Sequence, residues 1–422
     1  MRLLWLCNTA PGVVRSHISG KPTGGVNWVD HVLSGLRCQG LTIRILFRGE
    51  GGSAQLDDSC GYAAFSEPLP HRYYPELEKR FREEIRTFRP DVIHSWGLEY
   101  GHTLAMVNAA QAEGNLPCMA ASIQGLCGFI ARHYTEGIPE KVQRSATFRD
   151  IVRRDNIRQQ REKYVLRGRM EAQAMKTLSH VIGRTDWDRA CAKTLNPDIA
   201  YHFCGETLRE PFYQGGWRYD TCCPHRIFAS SCEYPVKGFH YLLEAFSEVL
   251  KTYPDATLAV PGRSFLSDGA QARLRRGSYE KYLETLAKQW NLTDKIEFLG
   301  DLSGEEMKMA YVSANVFVLP STIENSPNSL GEAMLLGVPC VASDVGGVSS
   351  LMRHGSEGRI YQSTAPYMLA YHIHTLFAMG PEAASLGQAA RAHAQVTHDP
   401  ERNLETLLAI YEELAGGGNC HV

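Results

Sequence analysis

Short apolar runs recur along this chain, spaced so that neighbouring runs leave room for a helix between them. In the first half they fall at 3–7, 42–47, 92–94, 119–123 and 181–182. In the second half they fall at 227–229, 256–260, 295–299, 316–319 and 339–342. Runs this brief, apolar for the most part, read as strands. The alternation of strand and helix patterns predicts an α/β fold, with one helix-covered parallel sheet in each half. The stretch 210–225 has no clear period and is rich in chain breakers, so the domain boundary is placed there. The expected units are residues 1–210, residues 211–399, and a terminal helix and tail at 400–422.

A length of 422 residues exceeds one ordinary core and suits two domains. Apolar residues make up 44% and charged residues 21%, which excludes a mainly disordered chain. A formal net charge of −2 supplies no global basic field to recruit nucleic acid. The twelve cysteines show no paired C-x-x-C spacing and read as free thiols of a reducing cytoplasm. Residues 1–8 read as a first strand rather than a signal peptide. No run approaches the roughly 20 apolar residues that span a bilayer. The expected location is cytoplasmic.

The segment 324–332 carries the most chemistry. It follows the strand at 316–319 and leads into a helical pattern, with Ser326 as a cap and Pro327 in the first turn. The backbone N–H groups of Asn328 and Ser329 then precede the first intrahelical bond and point at whatever lies ahead of the helix. That end suits a phosphate or diphosphate. Glu332 sits one turn in, and its side chain leans back toward the same end. Two carboxylates beside a diphosphate would repel it, so Glu324 and Glu332 are expected to accept bonds from neutral hydroxyls at its two ends. A nucleotide sugar has that layout. The plainer alternative makes Glu332 a partner of the helix dipole and Glu324 a solvated loop acid.

The Glu324-x7-Glu332 arrangement resembles the signature of the retaining nucleotide-sugar glycosyltransferases of family 4. Their GT-B fold has two Rossmann-like parallel-sheet domains facing each other across a cleft. Lys237-Gly238 with the helix at 241–246, the strand end at 297–300, and the strand and turn at 337–342 and 345–347 match in order. The resemblance implies that Lys237 holds the leaving diphosphate, Glu324 the sugar and Glu332 the ribose, with Leu299 beside the base. Asn328, Ser329 and Leu330 complete the donor site, and Gly25 approaches the diphosphate while Gly24 faces the acceptor. Without these motifs, the glycine pair would be an ordinary loop-to-helix turn. The terminal helix is expected to return to the first domain.

His94 matches the first histidine of a family strand end and is assigned to catalysis, against the alternative of a satisfied strand-end histidine. Gln124 stands where relatives have a histidine, which favours positioning an acceptor over proton transfer. Arg184 is an acceptor-side candidate, and Asp186 and Asp188 read equally as helix N-terminal acids. One departure stands out: the family's arginine before Lys237 is replaced by Ser231-Cys232, and Arg263 is offered as a substitute donor-site cation. No metal or other cofactor is expected, and the missing Gly-x-Gly-x-x-Gly argues against a nicotinamide dehydrogenase.

Residues 141–169 hold ten basic side chains against three acidic ones. This segment is a candidate contact with the inner face of a membrane or with a lipid-linked acceptor, against a solvated helix with i,i+4 pairs. Its apolar residues Phe148, Ile151, Val152, Ile157, Tyr164 and Leu166 are expected to face protein. The expected activity is retaining transfer of a hexosyl unit from a UDP- or GDP-sugar to a glycan or lipid-linked glycan, in surface polysaccharide or glycoconjugate synthesis. The alternatives are a catalytically silent GT-B subunit and a nucleotide-sugar epimerase on the same fold.

Overall fold

The computed structural model describes residues 1–21, 28–267 and 269–417. It divides into two compact units: residues 1–129, 163–208 and 398–422 form one, and residues 130–162 and 209–397 the other.

The first unit is built on eight strands: β1 (Arg2–Cys7), β2 (Thr42–Arg48), β3 (Ser53–Asp57), β4 (Cys60–Phe65), β5 (Val92–Trp96), β6 (Met119–Ser122), β7 (His180–Gly183) and β8 (Ala200–Phe203). Their order is β3-β4-β2-β1-β5-β6-β7-β8, parallel throughout except for β3 against β4. Alternate side chains of β1 feed two cores, with Leu4 and Leu6 on one face and Leu3, Trp5 and Cys7 on the other. This explains the unbroken apolar run: a strand covered by helices on both faces has no solvent side to keep polar. Leu407, Ile410, Tyr411 and Leu414 of the terminal helix Pro400–Gly417 join the second of those cores. Trp5 Nε1 donates to the Tyr411 hydroxyl at 3.2 Å.

The second unit has six parallel strands: β9 (Arg226–Phe228), β10 (Thr257–Val260), β11 (Ile296–Phe298), β12 (Val316–Leu319), β13 (Cys340–Ser343) and β14 (Arg359–Tyr361). They run in the order β11-β10-β9-β12-β13-β14, so the winding direction reverses between β9 and β12. In open α/β sheets the ligand crevice forms beyond the strand C-termini at such a reversal.

The break at 208/209 falls close to the boundary read from sequence, but residues 130–162 group with the second unit. They are tied to it by specific bonds. Thr322 Oγ1 donates to the His133 carbonyl at 3.1 Å, and the Ser278 N–H donates to Asp150 Oδ2 at 2.9 Å. A boundary read from local breakers finds where composition changes, not where the chain crosses over and returns. Among the described residues ten cysteines are free thiols, while Cys118 is disulfide-bonded, so the expected all-thiol state does not hold there. Among the described residues, no helix is long and apolar enough to cross a membrane.

Candidate functional site

Three loops converge beyond the C-termini of β9, β12 and β13. The first turns through a 3₁₀ segment Pro235–Lys237 and ends at Gly238, whose φ is 63°. A Cβ on Gly238 would lie 1.8 Å from the Pro320 carbonyl oxygen, so only glycine allows this loop against the end of β12. The Thr322 N–H donates to the Val236 carbonyl at 2.8 Å and fixes the pair. The third loop approaches from the other side: Gly346 has φ 51°, and a Cβ there would sit 1.8 Å from the Glu324 carbonyl oxygen. The Gly347 N–H donates to that same oxygen at 3.1 Å. Glu324 is thus clamped through its backbone.

Its side chain meets Lys237, with Nζ 2.7 Å from Oε1, and Ser321 Oγ donates to the same oxygen at 2.7 Å. No described residue donates to the other carboxylate oxygen. Two residues 87 positions apart in sequence therefore share one ion pair at the winding reversal. The helix Asn328–Leu336 begins just beyond, with Pro327 rather than Ser326 in the capping position and no side-chain cap bond. Proline fixes φ near −65° and its ψ of 107° keeps it extended, so the helix starts one residue after it.

Glu332 is buried and gripped by a residue that no motif singles out. Arg209 Nε lies 2.7 Å from Oε1 and Nη2 2.8 Å from Oε2, a bidentate fork. The Tyr311 hydroxyl lies 3.4 Å from Oε2. Arg209 sits at the first position of the second unit's main segment, outside any recognisable spacing.

Other predicted donor residues fare differently. Leu299 is half-buried at the end of β11, on the same C-terminal edge, its N–H donating to Val260 at 2.9 Å. Leu330 is corrected: its side chain is fully buried in the core and its N–H donates to Pro327, leaving no group for a ligand. Arg263 bonds Glu280 at 2.7 Å, and that carboxylate also accepts the Gly277 N–H at the start of the next helix. The substitute cation is therefore engaged in a capping arrangement. Cys232 is buried and burial pushes its thiol up to about 12, so no charge arises there. Gly24 and Gly25 lie outside the described residues.

In the first unit His94 is fully buried on β5. Its Nδ1 lies 2.6 Å from the Tyr411 hydroxyl and its Nε2 2.8 Å from Ser122 Oγ. The catalytic expectation for His94 is replaced by a structural one, because both ring nitrogens are engaged inside the core. Burial lowers its pKa from 6.5 to about 3. Between those values the unfolded chain binds a proton that the folded chain does not, so stability falls as pH drops below 6.5. For this group the expected loss is about 2 kcal/mol at pH 5. His94→Gln should flatten the pH dependence of urea unfolding by that amount; an unchanged slope would count against it.

Gln124 follows β6, and its buried Nε2 has no partner among the described residues. Arg184 pairs with Glu206 in the wall of a small pocket that Trp96, Ser122 and Leu407 also line. At the winding reversal of the first sheet the sequence reading missed a polar network. Asn8 Nδ2 donates to Glu99 at 3.3 Å, and His102 bridges Asn8 at 3.0 Å and Glu67 at 2.9 Å. Burial raises the Glu99 carboxyl above its ordinary range. Among the described residues no group of three His, Cys, Asp or Glu side chains could hold a metal ion.

Two largely parallel sheets, each with one reversal of winding, are the architecture of the GT-B glycosyltransferases, and solved structures bear this out. Sucrose-phosphate synthase from Thermosynechococcus elongatus superposes with a TM-score of 0.71 at 16% identity, over 99% of this chain and 100% of that one. HepE from Anabaena in complex with UDP gives 0.66 at 14% identity, over 98% and 100%. Residues 227–393, which carry the Lys237–Glu324 pair and the signature helix, match the family Glycosyl transferases group 1. The D-inositol 3-phosphate glycosyltransferase of Corynebacterium urealyticum is 27% identical over 180 residues, 42% of this chain and 41% of its own length. The chain spans less than half the length of the curated relatives it matches.

Proposed function

We propose that this protein transfers a glycosyl unit from a nucleoside diphosphate sugar to an acceptor hydroxyl with retained anomeric configuration and without a metal. The observation that carries the reading is the Lys237–Glu324 pair held ahead of the helix Asn328–Leu336 at the winding reversal. Lys237 and the helix N-terminus offer positive charge to a diphosphate, and Glu324 keeps a carboxylate oxygen for sugar hydroxyls. Arg209 holds Glu332 at a fixed height on the helix for the ribose. The bond from the anomeric carbon to the diphosphate breaks through an oxocarbenium-like state. The acceptor oxygen then bonds to that carbon from the same face, and its proton passes to a leaving phosphate oxygen. Gln124, with an unbonded buried amide, is the acceptor-side residue best placed to take a hydroxyl. The UDP complex of HepE makes uridine diphosphate sugars the first donors to try.

One observation favours a second reading. Cys232 is neutral where the resemblance leads one to expect a cation, and Arg263 is held by Glu280. Such a site would bind a donor yet turn it over poorly, as a silent subunit of another glycosyltransferase. Calorimetry with UDP, GDP and ADP, followed by nucleotide release from their sugars, separates the two. Binding plus acceptor-stimulated release that chelator leaves unchanged supports transfer. Binding without release, restored by a partner, supports the silent subunit. Indifference to all three nucleotides would end both.

A further inference from the structure

The short helix Phe148–Arg153 is built inside out. Its capping box joins Thr147 and Asp150, and Asp150 is buried, accepting the Ser278 N–H at 2.9 Å. With the acid fixed inward, the opposite face carries Phe148, Ile151 and Val152, spaced i, i+3, i+4. Those side chains are 64%, 67% and 67% exposed, which overturns the expectation that they face protein. Leu166 is also exposed, Tyr164 is half-buried and Ile157 is buried. A surface helix normally turns its apolar stripe to the core. Here a buried carboxylate prevents it.

The helix Ala270–Arg275 packs against this one and exposes Leu274 by 54%. Scattered exposed apolar residues need no explanation, but four on two adjoining helices form a patch. Arg153, Arg154 and Arg275 are exposed beside it and have no acidic partner among the described residues. Other basic residues of the segment are spent internally: Arg149 on Asp150 and Asp155, Arg161 on the Ala131 carbonyl, and Arg167 on the Glu99 carbonyl. What remains is an apolar tip with unneutralised guanidinium groups at its rim.

We propose that the helices Phe148–Arg153 and Ala270–Arg275 form a docking surface for an anionic lipid bilayer. The apolar tips enter the acyl boundary while the arginines meet headgroup phosphates, the division of labour of interfacial helices. The charge at the rim is what selects a bilayer over a neutral protein surface. The inference does not depend on the sugar chemistry proposed above, and its readout is independent of activity.

Flotation of the full chain with phosphatidylcholine vesicles, with and without phosphatidylglycerol, tests it. Binding is expected only to the anionic vesicles and should weaken as salt screens the arginines. Phe148→Ser with Ile151→Ser should reduce it by about tenfold or more. Arg153→Gln with Arg154→Gln should reduce it several-fold, and both variants should keep the wild-type melting temperature. Failure of the wild type to float with anionic vesicles would overturn the proposal. Folded variants that bind like the wild type would do the same, as would a dimer in solution that the Phe148 and Ile151 changes abolish.

Discussion

Arg209→Ala is expected to destabilise the protein by about 2–3 kcal/mol and to weaken nucleoside diphosphate binding at the same time. Glu332 is only 4% exposed, and the change would leave its carboxylate buried with the Tyr311 hydroxyl 3.4 Å away. Breaking a fully buried pair costs about 3–5 kcal/mol. The Arg209 side chain is 34% exposed, so water replaces part of what is lost and the lower range applies. Arg209→Ala combined with Glu332→Gln should recover a substantial part of the stability, because the buried carboxylate charge that Arg209 neutralises is gone. Urea denaturation of both variants checks this. If the double variant is no more stable than the single, the buried charge is not the source of the loss.

Lys237→Ala should lower turnover by about 10²–10³-fold, the range seen when one preorganised charge-stabilising donor is removed. Binding of the nucleoside diphosphate should fall much less, since the helix end remains. Lys237 and Glu324 are already paired at 2.7 Å, so the ammonium is held in place before any donor arrives. That preorganisation favours the departing charge over the ground state. The check is a comparison of kcat with the calorimetric Kd. An equal loss in both would assign Lys237 to ground-state binding alone.

Central strands were legible because a sheet covered on both sides demands continuous apolar runs, as β1 and β12 show. Four strands escaped. β3, β8 and β14 are sheet-edge strands with few buried positions, and their residues carry no such run. β4 is an interior, largely buried strand, but its small residues Gly61, Ala63 and Ala64 make a weak apolar signal. At the site, Lys237 and Glu324 were found through ordered motifs, and the structure brings them together. Arg209 was invisible, because nothing in its local sequence announces a partner 123 residues away. His94 was misjudged for the same reason: a strand-end histidine looks alike whether it faces ligand or, as here, Tyr411 from the far end of the chain. Phe148, Ile151 and Val152 misled differently, since helical spacing reports a face but not which way it looks.

The return of residues 398–417 to the first unit has a consequence for how the chain is made. Tyr411 supplies the hydroxyl that Trp5 and His94 both bond, and Leu407 and Leu414 close the core around it. Domains usually mature in the order the ribosome emits them. Trp5 on β1 and His94 on β5 gain this shared partner only once the segment at 407–414 has been translated, after all of the second unit. The first unit closes only after the second has been made.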